Sequence, residues 1–445
     1  VSADRPINAD VEGQQEPAKP AEEPKSVESA DKPRPEAPAE APAPPRRRRR
    51  GIPGPIKLVT ALVAIAVGFI VLAVVVGSGS KKGRESAAPA QVTVTTAAPG
   101  ESEDSSSSSE SEGGAEELGY PSFATSNTTR IGGPDPVANA AATALAVFPG
   151  TNEKQRPVAV ALVGDEDWAG AIAAAVLMAE PIRAPLLFGE PEGLPDPTSE
   201  ALDRLQPRGG AASGGDAVLA IGDVQAPNGM SAAKIAKGDA AAEAAAIARL
   251  RDRLAGSPPQ AILLASSSEP AFAAPAAAYA ARSGDPVLFT EAGKLPAETI
   301  AALHREQGVP VYALGPGSAI SGKVLKEVEK LGAKVHRISG DNPVSSAISF
   351  ARFGEGKFGW HVSDPGHGFV LVRSDAPLEA AAAAPFSASG TWGPLLLTDD
   401  ADTLPSELRG YFLDVKPGYT TDPTRAFYNH VWIVGDAGQI SVEQQ

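Results

Sequence analysis

Ala184-Pro185-Leu186-Leu187-Phe188, Asp285-Pro286-Val287-Leu288-Phe289 and Gly393-Pro394-Leu395-Leu396-Leu397 are three versions of one segment. In each, a proline opens a run of large apolar residues. Proline has no amide hydrogen to give to a ladder, so it belongs at the start of a strand. A continuous apolar run of this length reads as a strand buried on both faces. The surroundings repeat as well. Upstream stand the apolar runs Val158–Val163, Ala261–Ala265 and Phe369–Val372, each leading into an Ala-rich stretch of helical length, from Trp168, Ala271 and Glu379. Downstream come Leu194-Pro195, Leu295-Pro296 and Leu404-Pro405, then a helix. A strand ending in glycine closes each copy, at Gly222, Gly315 and Gly435. Phe188 to Phe289 is 101 residues and Phe289 to Leu397 is 108. Five ordered signals at a near-equal period mark a tandem repeat.

Strand–helix–strand alternation implies right-handed crossovers on parallel sheets. The expected fold is therefore α/β, with three doubly wound parallel-sheet units over 121–228, 229–335 and 336–445. Alanine-rich helices such as Trp168–Ala179, Ala240–Leu254 and Ala271–Arg282 imply close packing against those sheets. Each copy also has a lead-in. Arg130-Ile131-Gly132-Gly133-Pro134-Asp135 parallels Arg337-Ile338-Ser339-Gly340-Asp341-Asn342, and a degenerate form surrounds Lys234-Ile235.

The remainder of the chain has a different character. Residues 1–50 are rich in Pro, Ala and Glu and end in five arginines, Arg46 to Arg50. With almost no large apolar side chain, this segment reads as disordered. Leu58 to Val76 is apolar apart from Thr60, and ~20 such residues span a bilayer. Six basic residues precede it closely and three follow, which places the N-terminus in the cytoplasm and the repeats outside. A cleaved signal peptide is the competing reading, opposed by the length of the apolar run and its late start. Residues 78–120, with three basic and eight acidic residues and Ser105 to Ser109, read as a flexible linker.

Composition excludes several chemistries. The chain has 445 residues, no cysteine and a formal net charge of −15. Disulfides, thiolate metal sites and cysteine nucleophiles are ruled out, and nucleic acid is not an expected partner.

The lead-ins, the Pro-apolar strands, the Leu-Pro turns and the closing turn Gly315-Pro316-Gly317-Ser318-Ala319-Ile320-Ser321 resemble the cell wall-binding repeat 2 family. The resemblance covers about residues 127–441. It implies three units about a pseudo-threefold axis on a surface protein that attaches to anionic wall polymer or peptidoglycan. The sequence departs from the family at Pro136-Val137 and Pro343-Val344, where an Arg-Tyr pair is expected. It departs again at Gly170 and Ala271, where the family carries the aspartate of its Asp-Ala-Leu helix.

Candidate contacts with polymer are Arg130, Asp135, Arg337 and Asn342 in the lead-ins. Others sit at the strand-to-helix corners: Asp167, Ser266, Ser267, Ser268, Arg373, Ser374 and Asp375. A corner at a helix N-terminus can bind an anion, and Ser or Asp there can equally cap the helix. The acidic Gly164-Asp165-Glu166-Asp167 corner would need a bridging cation such as Ca²⁺ to hold an anion. Otherwise no cofactor is expected.

Three further motifs stand out. Gly317 to Val324 approaches a phosphate-binding P-loop, but Val324 replaces the metal-binding hydroxyl. His361, Asp364 and His367 share a turn, which could hold a metal or be an ordinary polar loop. Ser266 to Ser268 lack a nucleophile elbow. No catalytic residue is expected. The alternative function is a scaffold, with the Pro-rich tail recruiting a cytoplasmic protein.

Overall fold

The structure is a computed structural model and describes residues 128–235, 237–389, 393–416 and 429–445. The apolar segment Leu58–Val76, its flanking basic residues and the linker lie outside the described residues. Among the described residues no helix is long and apolar enough to cross a membrane.

The first round of elements is β1 (Thr128–Ile131), α1 (Pro136–Val147), β2 (Val160–Gly164), α2 (Trp168–Ala174), β3 (Leu186–Gly189), α3 (Asp196–Leu205) and β4 (Val218–Ile221). The second begins with β5 (Ala232–Lys234), α4 (Ala240–Ala255), β6 (Ile262–Ser266), α5 (Pro270–Ala273) and α6 (Pro275–Ser283). It ends with β7 (Val287–Thr290), α7 (Ala297–Arg305), β8 (Val311–Leu314) and α8 (Gly322–Lys330). The third opens with β9 (Val335–Ile338), α9 (Pro343–Arg352) and the ribbon of β10 (Gly354–Glu355) and β11 (Phe358–Gly359). It continues through β12 (Gly368–Arg373), α10 (Pro377–Ala388), β13 (Leu395–Thr398), α11 (Ser406–Asp414) and β14 (His430–Val434). The expected strands lie within a residue or two of their observed positions.

Three four-stranded parallel sheets result, in the orders β3-β2-β4-β5, β7-β6-β8-β9 and β13-β12-β14-β1. The inner strands other than β14, and the edge strands β3, β7 and β13, are buried on both faces, which is why the sequence runs are apolar without alternation.

The lead-ins form strands, and each one leaves its own round. β5 pairs with β4, Val218 opposite Ala232, and β9 pairs with β8, Val311 opposite Val335. β1 has no preceding round and pairs with β14, Thr128 opposite Val431 and Ile131 opposite Val434. Sheet membership is therefore offset by one strand from the sequence repeat, and the offset closes into a cycle. The lead-in strands at one edge of each sheet are short and only partly apolar, so their partners are not evident from composition.

Helices α2, α6 and α10, the equivalent helix of each round, pack against one another. Their contact faces are alanine: Ala171, Ala173 and Ala174 on α2, Ala276 to Ala278 on α6, Ala380 to Ala384 on α10. Alanine favours helix and holds backbones close. Two details differ from the expected helices. The helix from Ala271 is divided at Pro275, which lacks an amide hydrogen. The helix from Trp168 tightens into a 3₁₀ turn at Ala175–Met178.

Helices α1, α4 and α9 join the units. Each follows a strand of one sheet and packs on the next: α1 on β3 and α3, α4 on β7 and α7, α9 on β13 and α11.

Candidate functional site: three strand-end corners

The carboxyl ends of β2, β6 and β12 carry the same corner. In each, the residue after the strand donates its amide hydrogen to the terminal carbonyl of the neighbouring strand. The bonds are Asp165 to Gly189 (3.1 Å), Ser267 to Thr290 (2.9 Å) and Ser374 to Thr398 (2.8 Å). The sequence places all three corners correctly, and open α/β sheets bind ligands at this end.

The lead-in candidates have structural partners. Arg130 is only 8% exposed. Its guanidinium donates to the carbonyls of Gly435 (3.0 Å), Asp436 (3.0 Å) and Ser441 (3.3 Å), and to the side chain of Gln445 (3.0 Å). Arg337 repeats this on the turn of the second unit, donating to the carbonyls of Gly315 and Ile320, both at 2.6 Å. Lys234 stands at this position in the second round, and there Lys237 pairs with Asp223 at 2.6 Å. Asp135 and Asn342 cap α1 and α9, accepting from Ala138 N (2.8 Å) and Ser345 N (2.8 Å). Asn342 also donates to Glu407 at 2.9 Å.

The first corner opens on a cleft of about 750 Å³. Asp165, Glu166 and Asp167 line it from the loop after β2, Glu190 and Glu192 from the loop after β3. Asp223 and Glu243 complete the acidic wall, and Lys237 is the lining cation among the described residues. Asp167 caps α2, with Oδ1 accepting from Gly170 N at 2.8 Å. Glu243, on α4, is 4% exposed and accepts from Gly238 N at 3.1 Å. Burial, and then the neighbouring Asp167, push its carboxyl up to about 8.

Glu243 sits four residues past its N-cap, and Asn139 and Ser346 occupy that place on α1 and α9. All three accept a lead-in amide: Gly133 N to Asn139 (2.7 Å), Gly238 N to Glu243, and Gly340 N to Ser346 (2.9 Å). Sequence reasoning passed over this position because three residue types share one role. Only its fixed distance from the cap could have revealed it.

At the second corner the serine hydroxyls are engaged within the corner. Ser266 is fully buried and meets Ser268 Oγ at 3.2 Å, while Ser267 Oγ donates to the Thr290 carbonyl at 3.3 Å. At the third, Arg373 grips Asp375 through two bonds, Nε to Oδ1 (3.1 Å) and Nη2 to Oδ2 (2.9 Å). This holds the Asp375 carboxyl below its ordinary range. Both line a cleft of about 440 Å³ with Glu379 and Gln439. Glu379, 5% exposed, accepts from Gln439 Nε2 at 3.2 Å, and burial raises its carboxyl. It follows the N-cap Ala376 by three residues, as Gly170 follows Asp167. The third copy thus carries a carboxyl at the position that Gly170 holds in the first.

The P-loop-like segment is the turn clamped by Arg337; Ser321 caps α8, and Lys323 lies 3.9 Å from Glu327. His367 Nε2 lies 3.1 Å from Asp364 Oδ1. Among the described residues no group of three or more His, Asp or Glu is arranged to hold a metal ion.

No family model matches the sequence, and no curated protein matches it. Solved structures do, two of them cell-wall proteins of one organism. Cwp6 from Clostridium difficile superimposes with a TM-score of 0.56 at 18% identity, covering 70% of this chain and 46% of that one. Cwp8 from Clostridium difficile gives 0.55 at 18%, covering 72% and 51%. The chain spans about half the length of the solved structures it matches, and what it shares with them is the fold.

Proposed function

We propose that this chain is a non-enzymatic surface protein whose pseudo-threefold body contacts cell-wall polymer, held to the membrane by Leu58–Val76 with its N-terminus in the cytoplasm. The observation that carries this reading is the corner repeated at the carboxyl ends of β2, β6 and β12. It repeats one backbone geometry at three places on one body, which suits contact with a repeating polymer at more than one point. The fold shared with Cwp6 and Cwp8 supports a surface or wall-associated role. So does the resemblance of the repeats to wall-binding units. The test is retention of the purified chain on isolated wall sacculi, with and without their anionic polymers. Retention that disappears with the polymers supports the proposal.

A second reading, a protein-interaction scaffold, is favoured by the acidic lining of the first cleft. A phosphate-rich polymer is repelled there, whereas a basic peptide is attracted. Failure to bind sacculi at any salt or calcium concentration selects this reading.

A further inference from the structure

We propose that Glu243 holds a proton and donates it in a hydrogen bond to Asp167, and that this bond fastens α4, the helix joining the first unit to the second, across the first cleft.

The geometry leaves one oxygen of each carboxyl facing the other. Asp167 Oδ1 is occupied by the Gly170 amide and Glu243 Oε1 by the Gly238 amide. Asp167 Oδ2 is buried with no donor among the described residues. Glu243 Oε2 approaches the same place: the point where a Cβ on Gly170 would stand is 1.9 Å from Asp167 Oδ2 and 2.9 Å from Glu243 Oε2. Two ionised carboxylates in this arrangement repel each other, and a buried acceptor stays unsatisfied. A proton on Glu243 removes both penalties at once, because its O–H donates to Asp167 Oδ2.

The surroundings favour keeping that proton. Asp165 and Glu166 line the same cleft from the loop after β2, and Glu190 and Glu192 from the loop after β3. Asp239 adds a further negative charge from the cap of α4. Lys237 is engaged by Asp223. The upward displacement of the Glu243 carboxyl agrees with this.

The sign follows from linkage. Between the ordinary glutamate range and about 8, the folded chain holds a proton that the unfolded chain has lost. Stability therefore falls as pH rises through that window and levels off above it. The joint is fastened at acid and neutral pH and loosened in alkali.

The test compares melting temperatures of the full chain and its Glu243→Gln variant between about pH 5 and about pH 9. The Gln amide donates to Asp167 at every pH. The expected result is a melting temperature that falls more with pH in the wild type than in the variant, with the variant melting higher at the alkaline end. Equal slopes overturn the proposal. Carbon-13 titration of the wild-type glutamate carboxyls tests it without any variant. One carboxyl should titrate near 8, and none doing so overturns the inference even if Glu243→Gln fails to fold.

Discussion

Arg130 Nη1 donates to the carbonyl of Gly435 at 3.0 Å across 305 residues of chain. Arg337 Nη1 makes the same bond to Gly315 at 2.6 Å across 22. One local device therefore serves two joints, one closed by chain neighbours and the other by distant parts of the sequence. The ring is held at β1 and β14 by contacts alone.

Replacing Arg130 with alanine leaves buried carbonyls of the Gly435–Ser441 turn without donors. The expected cost is about 2–3 kcal/mol, read as a lower denaturant midpoint. Amide exchange should quicken first in β1 and β14. Arg337→Ala should cost less, because fewer carbonyls lose a partner.

Gly170→Ala places a methyl group against both Asp167 and Glu243. Alanine is otherwise the better helix former, so a small gain is the naive expectation. The overlap outweighs it, and the variant should lose about 1–3 kcal/mol by overpacking. Thermal melts distinguish the two outcomes.

Glu379 contributes its own pH dependence. Burial raises its carboxyl above the ordinary range, so the folded state holds the proton longer than the unfolded state. Stability from this group is present at low pH and declines as pH rises past the usual glutamate value. Glu379→Gln should flatten that part of the stability–pH curve while keeping a polar partner for Gln439.

Arg373 is the cation lining the third cleft, among the described residues. Its pair with the largely exposed Asp375 is worth less than about 1 kcal/mol. Arg373→Ala should therefore leave the melting temperature nearly unchanged. If polymer docks at this corner, retention on sacculi should drop severalfold and lose much of its dependence on salt.

The strands buried on both faces were legible because such burial leaves an unbroken apolar run, and Pro185, Pro286 and Pro394 mark where the runs of β3, β7 and β13 begin. The lead-in strands β1, β5 and β9 were not. Ala232-Ala233-Lys234 carries no strand signal of its own, and its partner belongs to the preceding round. Arg130 and Arg337 are candidate polymer contacts only through the resemblance of the lead-ins to a wall-binding repeat. The structure instead occupies both guanidiniums with turn carbonyls. The corners at Asp167, Ser266 and Ser374 were found from the repeat. Glu243 was not, because its role is shared with Asn139 and Ser346 by position alone.

The pairing of β1 with β14 leaves the folded body without a natural seam. The three joints between units share one parallel strand pairing, and only the covalent link is missing at one of them. A permuted gene, opened between β4 and β5 and spliced from beyond β14 back to β1, should give the same architecture. Its cut would fall at a joint that already has the strand pairing needed to close it.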